Sequence, residues 1–166
     1  MTTVPIDEIG DTVLHFAAWI GDLETCKSRI EYAREKNDDG DMPIHLAATN
    51  GQLEICKLFL KHDPSLKLEK GESGWTPLHC AVGRGHLPVC ELLVDTKTEK
   101  NDPGNTALAV ARMREALSYN TDEKKELAEI IKLLSRDENG KDDLQAEIAK
   151  LQNGLDKVKS LLANKK

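Results

Sequence analysis

The sequence repeats one short stretch, Gly74-Trp75-Thr76-Pro77-Leu78-His79-Cys80-Ala81-Val82. Closely similar stretches occupy residues 10–18 and 40–48, and a weaker copy begins at Gly104. The first glycines of these copies are spaced 30, 34 and 30 residues apart. Self-similarity at such a period is the sequence signature of a stacked repeat architecture. We therefore predict four repeats that form a solenoid.

Each repeat is predicted to contain two helices. A glycine and then a second apolar block follow each of the first three copies, and in the second block Leu53, Cys56 and Leu60 show helical spacing. Thr76 and Pro77 suit the N-cap and the first position of the first helix. The fold class predicted from these features is all-α, with antiparallel helix pairs joined through β-turn tips.

The composition of the 166-residue chain fits thin, local cores, because apolar residues make up 39% and aromatic residues only 4%. The formal net charge of −6 argues against nucleic-acid binding, which requires a basic surface. No apolar run approaches the roughly 18 residues of a membrane span. The first residues contain neither a basic leader nor an apolar stretch. We therefore expect no membrane association and a cytoplasmic location.

The repeated stretch resembles the ankyrin repeat, whose signature is Thr-Pro-Leu-His-x-Ala in a period of about 33 residues. Residues 76–79 match this signature fully, whereas the fourth copy lacks the histidine. The resemblance covers about residues 5–136. It implies an ankyrin-repeat domain at residues 1–137, with repeats at about 8–37, 38–71, 72–101 and 102–137.

The terminal repeats are predicted to cap this array. Thr25, Ser28 and Arg29 in the first repeat occupy second-helix positions that are apolar in the later repeats. The fourth repeat is polar on the opposite side, where Arg112 replaces a small apolar residue. Because terminal repeats need a polar outer face, we expect four repeats to form a closed unit. About 11 extra residues within 113–125 either extend a helix or form a loop.

Residues 138–166 are predicted to form a separate C-terminal helix. Its apolar residues follow the 4-3-4-3-4 spacing of a coiled-coil seam, at Leu144, Ile148, Leu151, Leu155, Val158 and Leu162. One interpretation is a homodimer that forms through residues 141–166. The alternatives are a helix folded against the last repeat and a tail that is partly ordered in isolation.

The spacing of the cysteines matches the repeat period and not the close spacing of a metal-binding or catalytic motif. Cys26, Cys56 and Cys90 share one position of the second helix, at which the fourth repeat has isoleucine, so we interpret them as packed small hydrophobes. Cys80 receives the same interpretation. The sequence contains no Cys-x-x-Cys pair and no glycine-rich phosphate loop. We expect no catalytic residue, no cofactor and no metal site, and hence no enzyme.

The resemblance also implies roles for particular positions. The repeated histidines, His15, His45 and His79, are expected to hydrogen-bond locally and to help stack the repeats. Partners of this family usually lie across the tips and the ends of the first helices. Carried over by position, the partner-binding residues are Asp11, Trp19, Ile20, Asp38, Asp39, Asp41, Thr49, Asn50, Glu72, Ser73, Trp75, Arg84, Asn105, Arg112 and Met113.

Both tryptophans of the chain fall on this surface, and tryptophan is enriched at binding hot spots. The alternative is that each indole packs against its neighbouring tip. Acidic residues such as Asp39 and Glu72 favour a partner with a basic surface, unless they form only a solvated face. The predicted function is non-catalytic protein binding by an adaptor or scaffold module. The alternative is a small regulatory or inhibitory subunit that dimerises or docks through its C-terminal helix.

Overall fold

The computed structural model describes residues 12–136 of the chain. Within that range the chain forms four consecutive helix pairs, one for each repeat, and the predicted all-α solenoid is confirmed. The helices are α1 (Val13–Ile20), α2 (Leu23–Ser28), α3 (Pro43–Thr49), α4 (Leu53–His62), α5 (Pro77–Arg84), α6 (Leu87–Leu93), α7 (Ala107–Leu117) and α8 (Thr121–Leu134). Asp11 and the predicted C-terminal helix lie outside the described residues, as do the seam and the dimer contact predicted for it.

The helix pairs stack into two layers. Helix α1 packs against α3, α3 against α5 and α5 against α7, which gives an inner layer. Helices α2, α4, α6 and α8 follow one another in an outer layer. The short linkers in the first three repeats force the two helices of a pair to run in opposite directions. No helix within residues 12–136 is long and apolar enough to cross a membrane.

Local hydrogen bonds explain where the inner helices begin. The Thr12 hydroxyl accepts the His15 backbone N–H at 3.4 Å, and the Thr106 hydroxyl accepts the Ala109 N–H at 3.3 Å. Helices α3 and α5 instead begin with proline, which has no N–H to satisfy in the first turn. Thus the residues that mark the repeat in the sequence also define the first turn of each inner helix.

Glycine ends two of the inner helices. Gly21 after α1 has φ 90° and Gly85 after α5 has φ 83°, which is the left-handed region that side chains with a Cβ rarely adopt. The Gly21 N–H donates to the Ala17 carbonyl at 3.0 Å, which satisfies an acceptor of the last helical turn. The chain can therefore reverse immediately into the outer helix.

Small side chains separate the inner helices. The residues at one repeated position are all alanine and at most 2% exposed: Ala17, Ala47, Ala81 and Ala111. Because a methyl group fills little space, successive inner helices can approach closely. In the outer layer Cys26, Cys56 and Cys90 are fully buried at their shared position, as the packing interpretation requires.

The exposed ends of the stack differ from its interior at the aligned positions. Arg29 is exposed in the first repeat, whereas the aligned Phe59, Leu93 and Leu134 are buried. Arg112 is exposed in the fourth repeat. Polar residues thus stand where no further repeat covers them in the described part of the chain. The limits of the repeat domain remain a prediction.

The extra residues of the fourth repeat lengthen both of its helices. Helix α7 continues to Leu117 and α8 begins at Thr121, so a short linker joins two long helices. The lengthened α7 carries Arg114, whose guanidinium donates to the Gly83 carbonyl of the third repeat and pairs with the Glu123 carboxylate. The insertion therefore contributes a contact between repeats.

Arg114 replaces a contact that the earlier repeats make from the linker before the outer helix. The corresponding hydrogen bonds run from Gln52 Nε2 to the Trp19 carbonyl at 3.3 Å and from His86 Nε2 to the Thr49 carbonyl at 2.9 Å. Carbonyls in the last turn of a helix have no partner within the helix. The residue of the fourth repeat that aligns with Gln52 and His86 is Leu127, which lies within α8. Because the leucine side chain has no hydrogen-bond donor, Arg114 satisfies the Gly83 carbonyl instead.

We predict that Phe59→Ala lowers the free energy of unfolding by about 3–5 kcal/mol, because it leaves a cavity at a fully buried position between outer helices. Urea denaturation followed by circular dichroism measures the change. The control is Leu68→Ala, since Leu68 is about half exposed. Equal losses in the two variants would contradict the role of Phe59 in the core.

Candidate functional site

Turns precede the inner helices at one edge of the stack, and we call residues 37–41, 71–75 and 101–105 the tips. The Asn37 N–H donates to the Asp41 carbonyl at 2.9 Å, and the Asp41 N–H returns a bond of 2.8 Å to Asn37 Oδ1. Asn101 and Asn105 form the same pair of bonds, at 3.0 and 2.8 Å. In the middle tip one backbone bond of 2.8 Å joins the end residues. Each tip is therefore a closed turn with a defined shape.

Buried imidazoles connect three of the inner helices to backbone carbonyls 24–26 residues further along the chain. His15 Nε2 donates to the Asp41 carbonyl at 2.9 Å, and His79 Nε2 donates to the Asn105 carbonyl at 3.0 Å. His45 makes the corresponding bond of 3.1 Å to the Glu69 carbonyl, just before the middle tip. The tips consequently take their positions from the preceding repeats.

The other ring nitrogen determines the tautomer of these histidines. In each ring Nδ1 accepts a backbone N–H from the N-cap residue; the donors are Thr12 at 3.3 Å, Met42 at 3.1 Å and Thr76 at 3.4 Å. A nitrogen that accepts cannot carry the proton, so Nε2 carries it and donates to the distant backbone carbonyl. Each bridge thus uses the neutral imidazole.

Burial lowers the pKa of His45 and His79 below the usual value for histidine, because the charged ring would lose its hydration. At His45 the nearby Asp41 carboxylate opposes this effect in part. Both rings are therefore neutral at pH 7, which is the state that the hydrogen bonds require.

A groove of about 460 Å³ lies between the second and third repeats. It is formed by the tips of both repeats and by the ends of α3 and α5, and its lining residues are Asp41, Thr49, Glu72, Ser73, Trp75, Cys80, Gly83 and Arg84. The structure thus brings together six of the predicted site residues of these two repeats, namely Asp41, Thr49, Glu72, Ser73, Trp75 and Arg84. The groove is the candidate functional site.

Trp75 forms one wall of this groove and is half-buried against α5. A Cβ atom placed on Gly83 would lie 2.7 Å from the indole Cζ3, so the ring occupies space that only glycine leaves open. The centroids of the Trp75 and His79 rings are 6.1 Å apart. The indole thus packs on helix α5 of its own repeat and also lines the groove.

Acidic groups line the tip side of the groove. Asp41 Oδ1 accepts the backbone N–H of Glu72 at 2.9 Å, which joins two neighbouring tips. The Glu72 side chain is exposed, and so is that of Arg84 on α5. The groove thus contains two carboxylates and a guanidinium.

The middle tip has an unusual backbone conformation at the rim of the groove. Ser73 has φ 52°, which is uncommon for a residue with a Cβ. Its carbonyl accepts the Asp102 N–H at 3.1 Å, so the middle tip is also joined to the next one. These bonds hold Glu72 and Ser73 in place beside Trp75.

The other predicted residues are distributed along the stack and do not line this groove. Trp19 and Ile20 are 49% and 52% exposed on α1. Asn50 is half-buried and its amide donates to the Leu46 carbonyl at 3.1 Å. The remaining described ones are Asp38, Asp39, Arg112 and Met113, which are exposed, and Asn105, whose carbonyl accepts the bond from His79.

Reasoning from the repeat missed an exposed aromatic residue on α1. Phe16 is 41% exposed, and its ring centroid lies 6.0 Å from that of Trp19. Val13, Phe16 and Ile20 follow helical spacing and are all exposed, so an apolar stripe on α1 was detectable in the sequence. The contacts of Arg114 with Gly83 and Glu123 were also missed, because they depend on the length of α7.

The four cysteine thiols are poorly suited to act as nucleophiles. Burial raises the pKa of Cys26 to about 11 and that of Cys56, Cys80 and Cys90 to about 12, so they are protonated at neutral pH. Among residues 12–136 no group of three His, Cys, Asp or Glu side chains is placed to hold a metal ion. The geometry of the described site supports binding and offers no activated nucleophile.

Comparison with known families agrees with this architecture. A family model described as ankyrin repeats, in three copies, matches residues 14–105 and again residues 63–142. The two matches overlap and together include every helix of the described range. A search of curated proteins found no matching relative.

We predict that stability falls as the pH drops from 6.5 towards 5. Because the folded-state pKa of His45 and His79 is lowered, the unfolded chain binds protons first, and unfolding becomes easier below the usual histidine pKa. Each histidine contributes at most about 1.4 kcal/mol per pH unit in this window. Urea titrations at several pH values measure it.

The exposed His62 provides the matched control for this pH effect. His79→Asn should reduce stability at pH 7 and also flatten the pH dependence, whereas His62→Asn should change neither. An unchanged slope in His79→Asn would contradict the proposed neutral bridge.

We predict that Gly83→Ala displaces the Trp75 indole, because the added Cβ would lie 2.7 Å from the ring. In a Trp19→Phe background, where Trp75 is the remaining tryptophan, its fluorescence emission should shift to longer wavelength as water reaches the ring. Ser28→Ala, at an exposed position of α2, is the control. Unshifted emission in Gly83→Ala would refute the close packing of indole and helix.

Proposed function

The chain belongs to the ankyrin-repeat family, and from this membership we propose that it is a non-catalytic adaptor or scaffold that binds a protein partner. Repeats of this family generally mediate protein–protein interaction and are typically non-catalytic. Because a fold by itself does not define a function, the proposal depends on the site. The groove between the second and third repeats is the observation that carries it.

The groove has features suited to a protein segment. Its wall is an aromatic side chain, its rim carries charges, and the tips that form it are held by hydrogen bonds between repeats. A preformed surface loses little conformational entropy when a partner binds. Trp75 is the proposed anchor, because tryptophan in a well-packed setting is typical of binding hot spots.

The charge of the tips supports a partner with a basic surface. Asp38, Asp39 and Glu72 are exposed at the tips, beside Asp41 in the groove. A cluster of one sign accelerates association with an oppositely charged protein and makes the rate dependent on salt. The same charge disfavours nucleic acid, which we do not propose as a ligand.

Exposed apolar residues extend the proposed interface beyond the groove. Trp19 and Ile20 on α1, and Met113 on α7, are about half exposed. Trp19 and Met113 lie at the two ends of one row of aligned inner-helix positions, and Thr49 and Gly83 of the groove lie between them. We propose that a large partner follows this row across the repeats.

A second role is proposed for the C-terminal residues. The 4-3-4-3-4 spacing of apolar residues after position 140 favours a helix that dimerises or docks, as in a regulatory or inhibitory subunit. This proposal rests on the spacing alone. We also propose a cytoplasmic location.

A photo-crosslinking residue placed at Arg84 tests the proposed surface in an extract of the source cells. Arg84 lies at the groove, and the matched control position is the exposed Lys61 on the outer helix α4. We expect a discrete crosslinked protein from position 84 and at least tenfold less from position 61. Equal products from both positions, or none from position 84, would count against the groove as a binding surface.

A further inference from the structure

The charged groups of the groove have no ionic partners of their own. Among residues 12–136 neither the carboxylates of Asp41 and Glu72 nor the Arg84 guanidinium takes part in an ion pair. Elsewhere on the surface Arg34 pairs with the carboxylate of Asp63 at 2.7 Å and with a second acidic group. The charges of the groove therefore remain available to a ligand.

The two carboxylates act on the same part of the groove. Cys80 is 8% exposed and lines the groove, and both Asp41 and Glu72 contribute to the raised pKa of its thiol, although burial is the main cause. Asp41 uses Oδ1 for the Glu72 N–H. Since a carboxylate can accept about four hydrogen bonds, Asp41 retains acceptor capacity.

An aromatic ring lines the same groove as these carboxylates. The Trp75 indole lines the groove and is held against Gly83. A cation within about 6 Å of an indole face is attracted by the electrons of the ring, and a carboxylate nearby adds charge-assisted hydrogen bonds. This combination selects a positively charged side chain over a neutral or acidic one.

We propose that the groove binds an extended segment of the partner through one arginine side chain, placed between the Trp75 indole and the carboxylates of Asp41 and Glu72. An acidic side chain of the same segment pairs with Arg84. Arginine suits the site better than lysine, because the planar guanidinium both stacks on an aromatic ring and bonds a carboxylate through two N–H groups. This inference rests on the proposed protein-binding function and specifies the ligand chemistry of that site.

The volume of the groove is consistent with this ligand. At about 460 Å³ it falls within the range of about 300–1,000 Å³ typical of small-ligand sites, so it can accommodate individual side chains of a bound segment. A partner that presents a loop or an extended terminus fits this description.

Selection of a random 12-residue peptide library on the purified full chain tests the inference without knowledge of the natural partner. We expect the enriched peptides to share an arginine, and most of them to carry an acidic residue as well. A synthetic peptide of an enriched sequence, labelled for fluorescence anisotropy, then gives Kd. Replacing its arginine by glutamine should weaken binding at least tenfold, and replacement by lysine should weaken it less.

Matched variants connect the binding to the groove. Glu72→Gln should raise the Kd for the peptide at least fivefold, whereas Glu91→Gln, at an exposed position of α6, should leave it unchanged. Arg84→Glu is compared in the same way with Arg29→Glu, at an exposed position of the first repeat. Trp75→Phe keeps an aromatic wall and should bind more weakly, measured at a temperature at which circular dichroism shows the variant to be as fully folded as the wild type.

The outcomes separate this inference from the function on which it rests. The enriched peptides could lack a basic residue and still bind more weakly to Glu72→Gln or Trp75→Phe. That result would overturn the proposed recognition of arginine but leave the groove as a protein-binding site. Peptides insensitive to every groove variant, or no enrichment at all, would count against both. A peptide with glutamate in place of arginine that binds Glu72→Lys better than wild type would support direct pairing.

Discussion

Neutral imidazoles hold the repeats in register, and the geometry of the tips depends on them. His15, His45 and His79 each accept a hydrogen bond from their own N-cap through Nδ1 and donate through Nε2 to a backbone carbonyl 24–26 residues further along the chain. Both bonds are possible only for one tautomer of the uncharged ring. Because these rings are buried, an unsatisfied nitrogen or a trapped charge would be costly.

The groove follows from this constraint. The bond from His15 to the Asp41 carbonyl positions the first tip, and the Asp41 carboxylate then bonds the backbone of the middle tip at Glu72. The middle tip carries Trp75 onto the glycine of α5. A chain of contacts that begins inside the stack thus ends in the arrangement of charges and aromatic surface at its edge.

Much of the fold, and part of the site, could be predicted from the sequence. The prediction placed both tryptophans on the exposed edge, and Trp19 and Trp75 do lie there, but it could not distinguish their surroundings. Trp75 is half-buried because Gly83 leaves space for its ring, whereas Trp19 has Phe16 beside it and is about half exposed. The difference arises from neighbours that each indole meets only in the folded chain.

The sequence by itself determined the number of helix pairs, several of the residues at which the inner helices begin or end, and the positions of the tips, because these follow from local signals repeated at a regular interval. Threonine or proline begins an inner helix, glycine ends two of the four, and alanine marks the buried side of each. Only the tertiary structure decided which charged groups form no ion pair and which tips are connected by hydrogen bonds. It also showed that Arg114 supplies the donor that Leu127 cannot provide. These features depend on contacts between residues about one repeat apart, and stacking brings such residues together without leaving a local signal in the chain.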